Sequence, residues 1–330
     1  MNERNKKIDL NSAKLDEEKK NSLRPLSLNE FIGQQFIKSN LEAYIESSKK
    51  RKKNLDHIIL YGPPGLGKTS LAHIISNEKN VNFHSTSGPA FTKKGDLVTL
   101  LSNMMEGDIL FIDEIHRLSP IIEETLYPAM EDYKCDYVIG SGPSARVVQI
   151  SIEKFTLIGA TTRLGLLSRP LRDRFGIPLQ LSFYEPEDLM KIIILNSKKL
   201  KFLISEDSAY EIAKRSRGTP RIAIRLLKRI IDFSIVNEED KIDLKSAKDS
   251  LKKMKIDSEG LDDMDRKYMN CIAYDFHGGP VGVETLSAAL LEHKDIIEDV
   301  IEPYLMQRGL VQRTSRGRIL SQKGLEHIKK

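Results

Sequence analysis

Residues 62–69 carry the residue types and spacing that bind the phosphates of a nucleotide. The segment reads Gly-Pro-Pro-Gly-Leu-Gly-Lys-Thr and matches the pattern G-x-x-x-x-G-K-[ST]. Glycines allow such a loop to surround a β-phosphate with backbone N–H groups, and the helix that follows adds the positive end of its dipole. Lys68 supplies a positive charge to the β- and γ-phosphates, and Thr69 supplies a hydroxyl to Mg²⁺. The glycines of this predicted phosphate loop are Gly62, Gly65 and Gly67.

A second segment, residues 110–114, ends in two adjacent carboxylates. The Leu-Phe-Ile before them predicts a buried strand, and open parallel sheets bind ligands at the carboxyl ends of their strands. We interpret Asp113 as holding Mg²⁺ through water, and Glu114 as orienting and deprotonating an attacking water. Adjacent acids are common in loops, but after an apolar strand in a chain with a phosphate loop they indicate a nucleoside triphosphatase.

Threonines and arginines further along the chain are suited to sensing a bound phosphate. Thr161 and Thr162 follow another apolar run, where a hydroxyl can sense a γ-phosphate from the neighbouring strand. Arg172 and Arg174 flank an aspartate and, by themselves, would be surface arginines paired to it. An arginine supplied by a neighbouring molecule can instead stabilise the phosphoryl transition state by about 10³–10⁵ in rate.

Arg221 is predicted to lie in the first turn of a helix. Thr219 before it is a good N-cap and Pro220 a good first helical residue. Arg221 therefore points towards whatever anion the site holds.

The elements that must position these residues form an α/β fold. Three short apolar runs, residues 57–61, 108–113 and 155–160, are bounded by turn residues and separated by helix-like stretches. Such runs are typical of a parallel sheet that is buried on both faces by flanking helices. Residues 136–150 have β-branched runs on either side of Gly-Ser-Gly-Pro and predict a hairpin.

Beyond residue 184 the apolar spacing becomes helical. Four helices are predicted over residues 187–200, 208–217, 220–237 and 245–254, which make a small helical domain. Three more are predicted over residues 264–276, 282–291 and 295–307, followed by a short hairpin over residues 309–321. Helix-turn-helix followed by a hairpin predicts a winged helix.

The composition excludes several classes of protein. The 330 residues include 52 Lys+Arg and 47 Asp+Glu, for a net charge of +5, and 40% are hydrophobic. That fraction is enough for packed cores, but no apolar run reaches the roughly 18 residues of a membrane span. Cys135 and Cys271 are too far apart in sequence for a metal or redox motif, so we expect free thiols in a reducing cytoplasm. Residues 1–22 predict a flexible tail without a secretory signal.

Together these motifs resemble an AAA+ ATPase, and within that class the RuvB family of Holliday junction branch-migration motors. Several of the segments are specific to that family rather than to AAA+ proteins at large. They are residues 111–118, 127–133, 171–176, 278–282 and 312–318.

The resemblance implies an architecture and an assembly. It implies a large ATPase domain over residues 23–184, a small helical ATPase domain over residues 185–257, and a winged-helix head domain over residues 258–330. It further implies a homohexameric ring on duplex DNA that uses ATP and Mg²⁺ to drive branch migration in recombination and repair. The hairpin at residues 136–150 resembles the element that docks the junction-binding partner RuvA, and the resolvase RuvC is a further implied partner.

The resemblance also implies roles for individual residues. Arg174 resembles the arginine that reaches into the neighbouring subunit's site, and Arg221 resembles the residue that senses the γ-phosphate within its own subunit. Leu23, Arg24 and Tyr184 border the adenine, Ser70 stands where the family often has threonine, and Glu131, Asp132 and Tyr133 lie near the nucleotide. Arg313 and Arg318 match DNA-contacting positions of the wing, whereas a contact at Lys294 departs from the family pattern.

Charge in the head domain is distributed unevenly along the sequence. Residues 261–304 carry ten acids and three bases, a net charge of −7, whereas residues 305–330 carry seven bases and one acid, a net charge of +6. The third predicted helix contains four of the acids and would be repelled by phosphates. We therefore expect the wing, with Arg313, Arg316 and Arg318, to follow the DNA backbone and to read little sequence.

Two other functions remain open at this level. An AAA+ protein of the origin-recognition or clamp-loader type also joins an ATPase to a winged helix, and it acts as a nucleotide-gated switch. A non-enzymatic DNA-binding regulator would not need Lys68, Asp113 and Glu114 together. The winged helix is also compatible with binding a protein through its acidic face.

Overall fold

The computed structural model describes residues 23–139 and 146–329. Residues 23–62 and 67–182 make one compact unit, and residues 63–66 and 183–329 make a second. The predicted flexible tail and the tip of the predicted hairpin lie outside the described residues.

A five-stranded parallel sheet forms the centre of the first unit, with the strand order β2-β3-β6-β1-β7. The strands are β1 (Ile58–Tyr61), β2 (Phe83–Ser87), β3 (Ile109–Asp113), β6 (Thr156–Thr161) and β7 (Ile177–Gln180). The three predicted apolar runs are its three inner strands, and β6 is buried along its whole length. The edge strands β2 and β7 were not predicted, because β2 is largely polar and β7 contains a proline and alternates in burial.

Helices cover the faces of this sheet. They are α1 (Gln35–Arg51), α2 (Lys68–Lys79), α3 (Lys94–Ser102), α4 (Pro120–Glu131) and α5 (Arg169–Asp173). In α2, Leu71, Ile74 and Ile75 are fully buried, because their spacing places them on the face that packs on the sheet.

An antiparallel pair, β4 (Lys134–Ile139) and β5 (Arg146–Ser151), follows α4. The predicted pairing of the hairpin therefore forms. Tyr137 and Val148 lie directly opposite each other in its register, and both are exposed. An exposed apolar pair on one face of a hairpin is suited to contact another surface.

The second unit contains a helical lid followed by a winged-helix head. The lid consists of α6 (Pro186–Lys199), α7 (Glu206–Lys214), α8 (Pro220–Val236) and α9 (Leu244–Lys253), with a short parallel pair, β8 (Leu203–Ile204) and β9 (Lys241–Ile242). All four predicted lid helices are present, within a few residues of the predicted ends.

The head has the predicted order of three helices and a wing. Its helices are α10 (Asp263–Asn270), continued by a π turn (Cys271–Asp275), α11 (Val283–Leu290), and a third helix made of α12 (Lys294–Ile296), a π turn (Ile297–Ile301) and α13 (Glu302–Gln307). The wing is β10 (Val311–Thr314) and β11 (Gly317–Leu320), and α14 (Gln322–Ile328) closes the domain. Within residues 23–139 and 146–329, no helix is long and apolar enough to span a bilayer.

Candidate functional site

Four of the five residues predicted to be catalytic, Lys68, Asp113, Glu114 and Thr161, lie at the carboxyl edge of the central sheet. Tyr61, at the end of β1, pairs with Thr161, at the end of β6. One strand further along, β3 ends at Asp113, one residue after the pairing of Ile112 with Gly159. Because these strands are parallel, the start of the phosphate loop, Asp113 and Thr161 share this edge.

Glycine is required at two positions of the first unit, Gly62 and Gly67, which lie on either side of residues 63–66 of the phosphate loop. Gly62 has a φ of +139°, and a Cβ there would lie 2.4 Å from the carbonyl oxygen of Leu181. Gly67 has a φ of +100° and is the N-cap of α2, where it offers no capping side chain to the first-turn N–H groups. Lys68 is 8% exposed and donates a hydrogen bond of 2.7 Å from Nζ to the Gly62 carbonyl.

The two adjacent acids differ in environment. Asp113 is half-buried, and its Oδ1 accepts a hydrogen bond of 2.9 Å from the backbone N–H of Glu114. Glu114 is exposed, has a φ of +49°, and forms an ion pair of 3.0 Å with Arg117 one turn later. This pairing was not predicted, and the i,i+3 spacing was the signal for it. An exposed pair of this kind contributes little stability, so Glu114 is free to exchange partners.

Thr161 is buried, and its hydroxyl is already engaged within the first unit. Its Oγ1 lies 3.0 Å from Nδ1 of His116 in a hydrogen bond and accepts another of 3.0 Å from the backbone N–H of Arg163. The next residue, Thr162, is exposed. The structure thus gives Thr161 a link to the segment after Asp113 and Glu114, and leaves Thr162 as the accessible hydroxyl of this strand end.

The residues present fit a nucleotide and its magnesium ion. A loop without side chains at Gly65 and Gly67 leaves backbone N–H groups for phosphate oxygens, and buried Lys68 supplies the counter-charge. The oxygen donors at this edge are the hydroxyl of Thr69, in the first turn of α2, and the half-buried carboxylate of Asp113. Hydroxyl, carboxylate, water and phosphate oxygens are the ligands that Mg²⁺ prefers.

The segment that contains Leu23 and Arg24 lies along α2. Leu23 is buried, and burial together with the positive charge of Arg24 lowers the pKa of His73 in α2. Asn77, also in α2, donates a hydrogen bond of 2.9 Å to the carbonyl of Leu26. The half-buried side chains of Thr69 and Ser70 belong to the same helix.

In the second unit, residues 63–66 of the loop are bonded to the lid. The backbone N–H of Arg221 donates to the Gly65 carbonyl at 3.3 Å, and the hydroxyl of Tyr184 donates to the Leu66 carbonyl at 3.2 Å. A Cβ at Gly65 would lie 3.1 Å from the Cβ of Arg221. Arg221 follows Pro220 at the start of α8, as predicted, and therefore borders the phosphate loop.

Residues 131–133 lie at the opposite, amino edge of the sheet. His57, just before β1, accepts a hydrogen bond of 2.8 Å at Nδ1 from the N–H of Leu157, so its Nε2 is the nitrogen that donates, at 3.1 Å, to the carbonyl of Met130. Burial lowers the pKa of His57, which keeps the ring neutral in this arrangement. The expected nucleotide contacts Glu131, Asp132 and Tyr133 are therefore not brought to the phosphate loop of their own chain.

Arg174 is held beside this same segment. Its guanidinium bonds to Glu131 at 3.2 Å and to the Pro170 carbonyl at 2.7 Å, and it lies 4.5 Å from the ring centroid of Tyr127. The Tyr127 hydroxyl donates to Glu123 at 3.3 Å, which fixes the ring. Sequence reasoning missed Tyr127 as a partner, although a tyrosine four residues before Glu131 lies on the same face of α4.

The expectation that Arg318 contacts DNA is corrected by the structure. Arg318 is 5% exposed, and its guanidinium forms hydrogen bonds of 2.8 Å to Glu302 and 2.8 Å to Glu298. Both acids belong to the third helix of the head, so this arginine of the positive segment is paired with acids of the negative segment. The prediction treated the two charge clusters as separate surfaces, because sequence separation does not reveal which side of a two-stranded wing faces the core.

The other two wing arginines are accessible. Arg316 lies in the exposed turn between β10 and β11. Arg313 pairs with Arg318 in the wing register and lies 3.4 Å from Glu298, but its side chain remains 58% exposed. Lys294 forms an ion pair of 3.0 Å with Glu284.

Three family profiles match consecutive parts of the chain. Residues 23–181 match the Holliday junction DNA helicase RuvB P-loop domain. Residues 184–257 match the RuvB AAA lid domain, and residues 258–329 match the RuvB C-terminal winged helix domain. These matches confirm the family resemblance and the fold class that the motifs predicted.

Solved structures of RuvB from Thermotoga maritima are similar over nearly the whole chain. One, described as the Holliday junction branch migration motor of that organism, is 48% identical, covers 93% of this chain and 98% of its own, and superposes with a TM-score of 0.86. Two mutants of the same protein match at 48% identity over the same shares of both chains, with a TM-score of 0.87. The similarity extends over the sheet, the lid and the head.

Proposed function

The chain belongs to the RuvB family of AAA+ P-loop ATPases, and from that premise we propose that it moves Holliday junctions as a homohexameric ring on duplex DNA, in recombination and DNA repair. It hydrolyses ATP to ADP and phosphate for this work. The single observation that carries the proposal is that the phosphate loop and Arg174 lie at opposite edges of one sheet.

Binding and hydrolysis use the carboxyl edge. Lys68 leaves the Gly62 carbonyl to neutralise the β- and γ-phosphates, and Thr69 and Asp113 hold the magnesium ion, Asp113 through water. When bound, the ion would offset the negative charge that develops on the phosphates during the reaction. Glu114 exchanges its exposed partner Arg117 for the attacking water, which it orients and deprotonates. Thr161 holds His116, two residues after these acids in the chain, and Thr162 offers the accessible hydroxyl to the γ-phosphate.

Arg174 completes the site of a neighbouring subunit. The two edges of a four-residue strand are roughly 13 Å apart, so Arg174 and Glu131 lie at the opposite edge of the sheet from the loop of their own chain. A ring of identical subunits joined head to tail brings the amino edge of one to the carboxyl edge of the next. The proposed nucleotide contacts of Glu131, Asp132 and Tyr133 are then made to the neighbour's nucleotide.

Within one subunit, Arg221 and Tyr184 report the nucleotide state to the lid. Both are already bonded to carbonyls of the phosphate loop, which supports a γ-phosphate contact by Arg221 and an adenine-side position for Tyr184. Leu23 and Arg24, in the segment that lies along α2, border the base.

The wing grips DNA through its exposed arginines. Arg316 and Arg313 contact phosphates, and Arg318 supports the wing from inside. Contacts to phosphates carry no sequence information, which suits a motor that must pass over any sequence.

The hairpin of β4 and β5 is the proposed docking element for RuvA. Its exposed pair Tyr137 and Val148 supplies an apolar patch for that contact. The RuvC resolvase is a further proposed partner, and the cytoplasm is the proposed location.

A mixing experiment tests the ring. Arg174→Ala and Glu114→Gln subunits should each be inactive alone, because every interface then lacks either the arginine or the base. Equal mixtures should recover about a quarter of the wild-type ATPase rate, the share of interfaces that draw both intact groups under random assembly. Absence of any recovery in mixed rings would show that Arg174 serves its own subunit.

The motor function needs a separate measurement. ATPase activity should rise when duplex or four-way DNA is added, and negative-stain images should show rings on the duplex. Lys68→Ala is the control that binds no triphosphate productively. A monomeric protein whose ATPase activity does not change when DNA is added would contradict the proposal. That result would favour a nucleotide-gated switch of the origin-recognition or clamp-loader type.

A further inference from the structure

Arg217 lies at the end of the lid segment that precedes α8, and its side chain bonds groups of the head and of the linker, residues 254–262, that joins the lid to α10. Its Nε donates a hydrogen bond of 2.9 Å to the Gly260 carbonyl, and its Nη2 lies 2.8 Å from a carboxylate oxygen of Asp262. The same nitrogen makes a close ion pair with Asp265, and the guanidinium lies 5.5 Å from the ring centroid of Tyr304.

This contact is buried. The side chain of Arg217 is 9% exposed and that of Asp265 is 1% exposed. An arginine that is removed from water in this way needs nearly all of its donors satisfied, and the head and linker satisfy them. The contact is therefore a fixed connection between lid and head and not a surface pair that exchanges with solvent.

The two aspartates that bind Arg217 also fix the first helix of the head. Asp262 is the N-cap of α10 and accepts hydrogen bonds from the N–H groups of Met264 and Asp265, and Asp265 accepts one of 2.9 Å from the N–H of Asp262. Arg217 is thus bonded to the capping box of α10, so that it orients the helix as well as holding it.

The linker between lid and head is held from both sides. Arg215, two residues before Arg217, donates to the Ile256 carbonyl at 3.1 Å. Tyr304, in the third helix of the head, donates to the Glu259 carbonyl at 2.6 Å. A Cβ at Gly260 would lie 2.7 Å from the carbonyl oxygen of Arg215, so only glycine permits this approach.

The same short turn also reaches the phosphate loop. Arg217 and Gly218 have φ values of +52° and +66°, and the chain then enters α8 at Pro220. Four residues after Arg217, the N–H of Arg221 donates to Gly65 at 3.3 Å. The seven residues 215–221 therefore contact the phosphate loop at one end, through Arg221, and the head domain near the other end, through Arg217.

We propose that Arg217 is a positioning residue that fastens the phosphate-sensing turn of the lid to the winged-helix head, so that lid and head turn as one body when the nucleotide changes. This inference rests on the proposed function for its use of Arg221. It assigns to Arg217 the step between ATP hydrolysis and movement of DNA, a step in which Arg217 touches neither nucleotide nor DNA.

The first test measures lid and head directly in the full chain, without DNA. Spin labels at Lys198→Cys in α6 and Lys323→Cys in α14 report one distance across the connection, and the native Cys135 and Cys271 are both buried. The expected result is one narrow distance that is the same with ADP and with a non-hydrolysable ATP analogue. A broad distribution, or a shift between the two nucleotides, would overturn the inference whatever any variant does.

The second test separates coupling from hydrolysis. Arg217→Lys keeps a charge but cannot reach Gly260, Asp262 and Asp265 together. We expect ATPase without DNA to stay within about twofold of wild type, while the number of base pairs migrated per ATP falls about tenfold or more and the label distance broadens. Arg229→Lys, which alters an exposed ion pair of 3.1 Å in the same lid, is the matched control and should change nothing.

These tests distinguish a failure of the proposed motor function from a failure of the role proposed for Arg217. A wild-type protein without DNA-stimulated ATPase would refute the motor, yet the label distance would still decide the connection through Arg217. A folded Arg217→Lys variant with wild-type coupling would refute the role of Arg217 while leaving the motor intact.

Discussion

Arg318 of the wing and Glu302 of the third head helix form a buried ion pair. The Arg318 Nε lies 2.8 Å from Glu302 Oε1, and the two side chains are 6% and 3% exposed. The hydroxyl of Tyr268 donates a further hydrogen bond of 3.0 Å to the same Glu302 oxygen. Burial and the adjacent Glu302 carboxylate raise the pKa of Tyr268 well above its ordinary value, so that this phenol stays protonated and remains a donor. The pair holds the wing against the helix bundle and is not available to DNA.

Replacing Arg318 should therefore destabilise the head. Arg318→Ala leaves Glu302 buried without its counter-ion, and the loss of one partner of a buried pair costs about 3–5 kcal/mol. Chemical denaturation followed by circular dichroism measures this loss. Arg316→Ala, in the exposed wing turn, is the control and should leave stability unchanged. A stable Arg318→Ala protein with a selective loss of DNA binding would restore a DNA contact for Arg318.

DNA affinity should respond to the exposed arginines and to Glu298. Arg316→Ala should lower the slope of log K against log salt by about 1, because one phosphate contact is lost. Glu298→Gln removes the acid 3.4 Å from Arg313 and should raise affinity for duplex DNA at low salt, with no preference for sequence. Fluorescence anisotropy over a salt series measures both the salt slope for Arg316→Ala and the low-salt affinity for Glu298→Gln. A decrease in affinity for Glu298→Gln would mean that the third helix itself contacts the bases.

Tyr127 should determine how well Arg174 acts on the neighbouring site. Tyr127→Ala removes the ring 4.5 Å from the guanidinium and should lower kcat by about 10-fold or more with little change in KM, because the role proposed for the arginine is mainly to stabilise the transition state. Tyr127→Phe keeps the ring and should retain most activity. Steady-state ATPase of assembled rings gives both parameters. An equal fall in both variants would assign the effect to the hydroxyl and its bond to Glu123.

Asp265 should make stability depend on pH. Its pKa is raised to about 7, mainly by burial, an effect that the charge of Arg217 offsets in part and that of Asp262 reinforces. A carboxyl whose folded pKa lies above its unfolded value of about 4 stabilises the fold at low pH, and this stability is lost as pH rises towards 7.

The comparison with Asp265→Asn isolates this effect. Between pH 5 and 7 the wild type should lose stability relative to the variant by up to about 1.4 kcal/mol per pH unit, and the difference should level off above pH 7. Thermal unfolding across this range provides the measurement. Parallel pH profiles for the two proteins would show that Asp265 is ionised throughout.

The sequence was most informative where chemistry and local structure coincide. Gly62, Lys68 and Asp113 belong to short patterns with fixed spacing that follow apolar strands. The prediction that these strands are parallel was therefore enough to place the three residues at one edge of the sheet. The edge strand β7 was missed because its exposed positions and Pro178 give no apolar run. Long-range pairs such as Arg217 with Asp265 and Arg318 with Glu302 were also missed, because they join residues on different elements. The sequence shows that both signs of charge are present but not which residues are paired.

Lys68 and Arg174 lie at opposite edges of the sheet, and this separation affects how many complete ATPase sites an assembly of subunits contains. In the proposed ring, each subunit would carry the two unlike halves of a site but never a whole one, so an open row of subunits would have one complete site fewer than it has members. Closing the row into a ring adds the missing site without adding a subunit. Hydrolysis per subunit should therefore increase with assembly size and reach its full value only at closure, which makes the turnover rate itself a measure of whether the ring is shut.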